Sequence, residues 1–197
     1  MATTITTKDR IVEAALRTLR EEGFAGTSAR AIARHGDFNQ ALIFYHFGTL
    51  DGLLLAALDH ASEQQLERYR SALADAASFE DAVRIATDLY RDDLRSGHVT
   101  TISEMIAGSV SHPDLAPEVV KRMEPWIDLT EETMRDILDR LNLSAMIPPR
   151  AAAFVVVALS LGVNMLHLVQ PDAQRADEVF DLAERLAKVV VPMLGSR

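Results

Sequence analysis

The stretch that decides the fold is Thr27–Phe47, which reads TSARAIARHGDFNQALIFYHF. It contains two short helical segments, and Gly36-Asp37 breaks the chain between them. Two short helices joined by a tight turn form the geometry that places a second helix in the major groove of DNA. The stretch therefore predicts a helix-turn-helix, although periodicity alone fits an ordinary helical hairpin equally well.

The second segment needs apolar anchors, and Phe38, Leu42 and Ile43 supply them. The remaining side chains face outward near the start of this helix, where amides can pair with adenine and small apolar groups can meet a thymine methyl. Polar side chains of both segments suit contacts with phosphates, namely Thr27, Ser28, Arg30, Arg34, Tyr45 and His46. The candidate DNA-binding residues are Thr27, Ser28, Arg30, Asn39, Gln40, Ala41, Phe44, Tyr45 and His46.

Helical periodicity extends along the rest of the chain, and no alternating pattern typical of a strand is present. The pattern predicts an all-α protein of about nine helices. Their predicted ranges are 8–22 with Thr7 as N-cap, 28–35 with Thr27 as N-cap, 39–46 with Asn39 as N-cap, 50–76, 78–95, 98–110, 117–142 with a kink at Pro125, 150–169 and 173–194. The change from short to long helices predicts a helix-turn-helix head over residues 1–48 and a larger helical bundle over residues 49–197.

Charge restricts where a polyanion can bind. The net charge is −9, but residues 1–50 hold six basic and five acidic side chains, whereas residues 51–197 hold 14 and 24. Any DNA contact is therefore expected in the first quarter of the chain. The lack of cysteine excludes thiolate chemistry and fits a cytoplasmic protein. The polar N-terminus predicts no signal peptide, and the uncharged run 151–169 is expected to be a bundle helix rather than a membrane span.

Residues 8–58 resemble the DNA-binding domain of the tetracycline-repressor (TetR) family of bacterial transcription regulators. The family's opening-helix pattern is matched by Ile11, Ala14, Ala15, Leu16, Gly23 and Phe24. The T-S/T-x-x-x-I-A pattern is matched by Thr27, Ser28, Ile32 and Ala33, and L-Y-x-H-F is matched by Ile43, Phe44, His46 and Phe47. Two positions depart from the pattern: Asp37 replaces the turn glycine, and Leu50 replaces a lysine that commonly contacts phosphate.

The resemblance implies a homodimer that binds a palindromic double-stranded DNA operator and is released from it by a small-molecule effector. Most such proteins are repressors. The last two helices are apolar over a wide arc, which suits a four-helix dimer interface. The candidate interface residues are Phe154, Ala158, Leu161, Val179, Phe180, Ala183, Leu186 and Val190.

In the family the ligand lies among the middle helices. There Pro125 is expected to open space beside Trp126, and methionines offer adaptable apolar surface. The candidate ligand-binding residues are Trp126, Met105, Glu104, His98, Met123 and Asn164. Asn164 belongs with Ser160 and His167 to one polar stripe, which bonds across the dimer, lines the pocket or lies on the surface.

Nothing in the sequence favours an enzyme. No nucleophile elbow, P-loop or dinucleotide fingerprint occurs. His60 and Glu63 lie one helical turn apart, but a second such pair is missing, so no metal site, catalytic residue or cofactor is predicted. The alternative to a regulator is an all-helical interaction module or small-molecule-binding protein that does not bind DNA.

Overall fold

A computed structural model describes residues 6–140, 142–170, 178–186 and 188 of the chain. The helices between residues 7 and 169 are α1 (Thr7–Gly26), α2 (Ala29–Gly36), α3 (Ala41–Phe47), α4 (Leu50–Ala74), α5 (Phe79–Ser96), α6 (His98–Ser109), α7 (Ala116–Lys121), α8 (Glu124–Arg140) and α9 (Pro149–Val169). Residues 178–186 are also helical. No residue within the described ranges lies in a strand, so the predicted all-α fold is confirmed.

The chain forms two compact units, each built from two segments that are separated in the sequence. Unit 1 is drawn from residues 1–64 and 97–122, and unit 2 from residues 65–96 and 123–197. Helix α4 supplies its first part to unit 1 and its last part to unit 2. The predicted boundary at residue 48 is one of function, between DNA binding and ligand response, and it stays a prediction.

Unit 1 is built on two apolar clusters. The first packs α1, α2, α3 and the start of α4 together, with Ile11, Ile32, Ile43 and Leu53 fully buried. The second consists of Leu19, Leu54, Leu58, Met105, Leu115 and Val119. This second cluster joins α6 and α7 to α1 and α4. The three-helix head is therefore packed together with helices that lie well beyond it in the sequence.

A break near the end of α1 sets how the chain enters α2. Gly23 has a φ of 68°, a left-handed conformation that favours glycine. A Cβ at this position would lie 3.0 Å from a carboxylate oxygen of Glu104. The next residue, Phe24, donates its backbone N–H to Glu104 Oε2 over 2.7 Å, and its ring lies against Gly108. Helix α6 therefore holds the α1 break in place.

Unit 2 combines apolar packing with polar links. Helices α8 and α9 pack against each other, with Ile127, Leu138 and Ala153 buried. Arg150, at the start of α9, bonds three acidic side chains of α8, the distances to Glu124, Asp128 and Glu131 being 2.5, 2.8 and 2.9 Å. These contacts fix α9 along α8.

The prediction of one helix over residues 117–142 with an internal kink at Pro125 is wrong. The structure has two helices, α7 and α8, and Pro125 is the second residue of α8. Proline fits there because its missing N–H has no intrahelical partner in a first turn. The expected opening of space around a bent helix therefore has no structural basis.

Three predicted helix caps are displaced by one residue. Thr6 rather than Thr7 caps α1, in a capping box with Asp9. Ser28 rather than Thr27 caps α2, and Gln40 rather than Asn39 occupies the N-cap position of α3. Of the predicted final helix over residues 173–194, residues 178–186 and 188 are described, and they are helical.

Candidate nucleic-acid interface

The turn between α2 and α3 depends on Asp37. This residue closes α2 with φ 51° and ψ 57°, in the left-handed region, and its N–H bonds the carbonyl of Ala33. The prediction that Asp37 takes over the conformation of a turn glycine is thus confirmed. The Phe38 ring then folds under Gly36 and packs on the head core, which sets the entry angle of α3.

Helix α3 has a buried side and an exposed side. Ile43 is fully buried, and Leu42 and Phe47 pack against the same cluster. On the other side Ala41 is exposed, Phe44 is 49% exposed and Tyr45 is 81% exposed. Helix α3 is thus held by its buried side and exposes aromatic side chains on the other. Such a surface suits contact with a partner rather than packing within the chain.

The two amides before α3 differ in how they are used. Asn39 Oδ1 accepts the backbone N–H of Ala41 over 2.9 Å, which stabilises the turn into the helix. Gln40 is exposed, and its side chain makes no capping hydrogen bond. Among the described residues the Gln40 amide therefore has both its donor and its acceptor unengaged, whereas the Asn39 oxygen accepts a backbone hydrogen bond.

The predicted phosphate contacts of the head differ in their exposure. Ser28 and Arg30 are exposed, and Ser28 Oγ also accepts the N–H of Ala31. Thr27 is only 8% exposed and donates its hydroxyl to the carbonyl of Gly23 over 2.7 Å. His46 is half-buried and packs edge-on against Tyr45. The role of these residues at DNA stays a prediction.

One group of charges in the head is engaged within it. Arg34 and His35, at the end of α2, both contact Glu22 Oε1 over 2.6 Å. The hydrogen bonds from His35 and then Arg34 lower the pKa of the Glu22 carboxyl below its usual value. This ion pair ties α2 to α1 and leaves Arg34 less available to phosphate.

The six predicted ligand-binding residues do not belong to one unit. In unit 1, Met105 is fully buried in the core, Glu104 binds the Phe24 N–H, and the His98 ring contacts the carbonyl of Ala61 over 3.1 Å. Trp126, Met123 and Asn164 belong to unit 2. The unit 1 side chains serve packing and capping there, and a ligand role for them stays a prediction.

A buried polar cluster in unit 2 surrounds Asp93, which is 5% exposed. Its carboxylate accepts hydrogen bonds from Arg68 and from the Tyr69 hydroxyl, both over 2.9 Å. Burial and then the Asp93 charge raise the pKa of Tyr69. Sequence reasoning missed Arg68 and Asp93, although Asp93 lies one helical turn after Tyr90 and therefore shares its buried face.

Two predicted residues lie at the edge of that cluster. The Trp126 ring packs edge-on against Tyr69, with ring centres 5.4 Å apart. Its Nε1 is buried and has no hydrogen-bond partner within the described part of the chain. Asn164 Oδ1 accepts the Tyr90 hydroxyl, and burial followed by the Asp93 charge raises the pKa of Tyr90 to about 12.

A cavity of about 210 Å³ lies elsewhere in unit 2, between the end of α4, the start of α5 and α8. Leu73, Leu129 and Ile137 give it apolar walls, and Arg70 and Asp136 lie at its polar side. None of the six predicted ligand residues lines it.

Much of the apolar surface of α9 is exposed in the single chain. Phe154 is 60% and Leu159 59% exposed, Ala158 is also exposed, and Leu161 is half-buried. Of the later candidates, Leu186 is exposed, and Val179 and Ala183 are half-buried. Phe180 is half-buried and packs against Tyr90, with ring centres 4.6 Å apart. Val190 lies outside the described residues.

By length and composition α9 also meets the criterion for a membrane span, with a mean hydropathy of 2.1 over a window of which 11% is buried. The core helix of a soluble protein meets the same criterion. Within the described ranges, no group of three His, Asp or Glu side chains is placed to hold a metal ion.

A helical head with an anchored, outward-facing α3 defines the class of helix-turn-helix DNA-binding proteins. Residues 11–57 match the family of bacterial regulatory proteins described as the tetR family. The match covers 47 of the 197 residues and assigns that segment to the family.

Individual relatives agree with that assignment. Over 74 residues the chain is 39% identical to the probable HTH-type transcriptional regulator YttP of Bacillus subtilis strain 168, a match that covers 38% of this chain and about a third, 34%, of YttP. Over 157 residues it is 22% identical to the HTH-type transcriptional regulator UidR of Escherichia coli K12, covering 80% of this chain and 79% of UidR. The fatty acid degradation regulator FadR from Bacillus halodurans has the same fold, with a TM-score of 0.77 at 14% identity over 94% of this chain and 96% of FadR.

Proposed function

We propose that the protein is a cytoplasmic, ligand-responsive transcriptional regulator without catalytic activity, and that it represses transcription until a small molecule releases it from a palindromic operator. The observation that carries this proposal is the outer face of α3, where Gln40, Ala41, Phe44 and Tyr45 are exposed above a closely packed head. The regulators YttP and UidR support the same conclusion.

A homodimer is part of the proposal. The apolar side chains that α9 exposes, Phe154 and Leu159 among them, need a cover in water. A second copy of the same helix supplies one, and a two-fold dimer presents two heads to half-sites one turn of DNA apart, at roughly 34–36 Å. This arrangement also gives α9 an apolar environment without a membrane.

We further propose that the effector binds in unit 2. The buried Trp126 Nε1 is a donor that lacks an acceptor among the described residues, and such groups are rare unless a ligand or water completes them. The aromatic faces of Tyr69 and Trp126 offer apolar surface beside it. A small molecule that carries a hydrogen-bond acceptor fits this combination.

Binding of the purified full-length protein to sheared genomic DNA of its source organism tests the proposal. We expect a small number of palindromic fragments to be retained with affinities of about 10⁻⁸ M or tighter at physiological salt. Arg30→Ala is expected to weaken retention, because it removes an exposed cation from the head. Lys121→Ala removes an exposed cation outside the head and serves as the matched control. Equal retention of all fragments would contradict the proposal.

The effector is tested on the same complex. Trp126 is the only tryptophan, so its fluorescence reports one location. Any compound that releases the retained fragment is expected to change this emission. A compound that releases the DNA and leaves the Trp126 spectrum unaltered would place the effector away from Trp126.

A further inference from the structure

The face that α3 offers to DNA carries no cation. Between Arg34 and Arg68 the sequence has neither lysine nor arginine. Arginine and lysine are the side chains that pair with the O6 and N7 acceptors of guanine, the commonest specific contact in the major groove. The recognition helix of this protein therefore lacks the two side chains that most often read guanine.

Gln40 is placed to read adenine instead. A carboxamide pairs with adenine through two hydrogen bonds, one accepted from N6 and one donated to N7, so it needs both its oxygen and its nitrogen. Gln40 is exposed and makes no capping bond at α3, whereas Asn39 Oδ1 is engaged by Ala41 N–H at 2.9 Å. Gln40 is thus the amide of this helix with its full pairing capacity.

Apolar groups stand next to Gln40 on the same outer face. Ala41 is exposed, and Phe44, one helical turn later, is 49% exposed although most phenylalanines of folded proteins are buried. The apolar feature of the major groove is the C5 methyl of thymine, and alanine and phenylalanine side chains contact it. Because adenine pairs with thymine, each adenine that Gln40 reads has a thymine opposite it, whose methyl group lies in the same groove.

From these observations we infer that the base pairs beneath α3 in each operator half-site are A·T pairs. Gln40 reads an adenine, and Ala41 and Phe44 contact the methyl groups of neighbouring thymines. The inference rests on the proposed function, since it specifies the DNA that the head binds. Base pairs reached by other elements, such as Arg30 on α2, lie outside it.

Selection from random duplexes, using the full-length protein and then Gln40→Lys, tests the adenine contact. We expect the Gln40→Lys variant to change its preference at one position in each half-site, where it should select G·C. At that same position we expect the parent to select A·T within a palindrome. Gln40→Ala is expected to bind the selected site roughly 5- to 150-fold more weakly, without a change in thermal stability. Enrichment of G·C by the parent at the Gln40-dependent position overturns the inference and leaves the proposed function standing. Enrichment of no sequence overturns both.

Replacing thymine by deoxyuridine tests the methyl contacts, because it removes one methyl group and nothing else. At the positions beneath α3 we expect affinity to fall about fourfold for each buried methyl. The Phe44→Ala variant is expected to lose this sensitivity at one position. Deoxyuridine placed outside the half-sites is the control. Equal affinity of the parent for thymine and deoxyuridine at every position within the half-sites overturns the methyl contacts.

Discussion

Glu104 holds the break in α1, and its replacement by alanine gives a quantitative test of that contact. The bond from Phe24 N–H to Glu104 Oε2 is 2.7 Å long and partly buried. Hydrogen bonds to charged groups contribute about 1.5–3 kcal/mol, and an abandoned buried donor adds a further loss. Because Glu104 is half-exposed, we expect Glu104→Ala to lower the free energy of unfolding by about 2 kcal/mol. Glu104→Gln keeps a neutral acceptor and should lose about half as much.

The measurement has to be local as well as global, because a chain with two compact units does not have to unfold in one step. Amide hydrogen exchange at Phe24 reports the bond directly. A loss of about 2 kcal/mol corresponds to exchange roughly 30-fold faster when the amide opens locally. Urea denaturation gives the global value. Glu63→Ala is the matched control, since Glu63 is exposed in the same unit, and it should stay within about 0.5 kcal/mol of the parent.

Two results would refute the reasoning. Unchanged exchange at Phe24 in Glu104→Ala would show that the carboxylate does not protect this amide. An equal loss of stability in Glu63→Ala would show that the effect is one of unit charge rather than of the bond. If the reasoning holds, operator affinity should also fall in Glu104→Ala, because the α1 break directly precedes α2.

Three further predictions concern assembly, pH and the turn. Leu159→Glu should split the proposed dimer in light scattering, because it charges the exposed face of α9. Val110→Glu, on a valine of unit 1 that is 79% exposed, should leave it intact. The pKa of Tyr90 is raised to about 12 in the folded state from about 10 in the unfolded state. Its contribution to the free energy of unfolding is therefore complete below pH 10 and is lost as the pH rises through 12. Tyr90→Phe should flatten the dependence of stability on pH over that window. Asp37→Gly should raise the free energy of thermal unfolding by about 1 kcal/mol because it relieves the left-handed strain, and Asp37→Ala should lower it.

The helix-turn-helix could be predicted in detail because its determinants are local. The break at Gly36-Asp37 and the buried anchor Ile43 lie within a few residues of each other, and the structure has both where the sequence indicates. The cap of α2 differs from the prediction by one residue because adjacent Thr27 and Ser28 are both capping residues. Which of the two caps α2 is decided by the α1 break, where Thr27 bonds the carbonyl of Gly23.

The ligand site could not be predicted to the same extent because it depends on contacts distant in sequence. Glu104 and Met105 lie on an apolar helix that looks like a pocket wall, but the structure uses them to pack and cap unit 1. Pro125 suits both a kink and a first turn, and the sequence does not distinguish the two. Asp93 was overlooked because a carboxylate on a helix is normally solvated, and only its partners on α4 explain its burial.

The charges of the head indicate where its DNA affinity comes from. Arg34 is paired with Glu22 over 2.6 Å, and Leu50, which stands where the family commonly has a lysine, packs against both apolar clusters of unit 1. Each phosphate that a protein neutralises contributes about 0.9 to the slope of affinity against salt. We therefore expect the proposed operator complex to have a shallower slope than one in which both positions offered a cation to phosphate. Discrimination then falls to base contacts, and the exposed, uncharged face of α3 around Gln40 and Phe44 is the surface suited to make them.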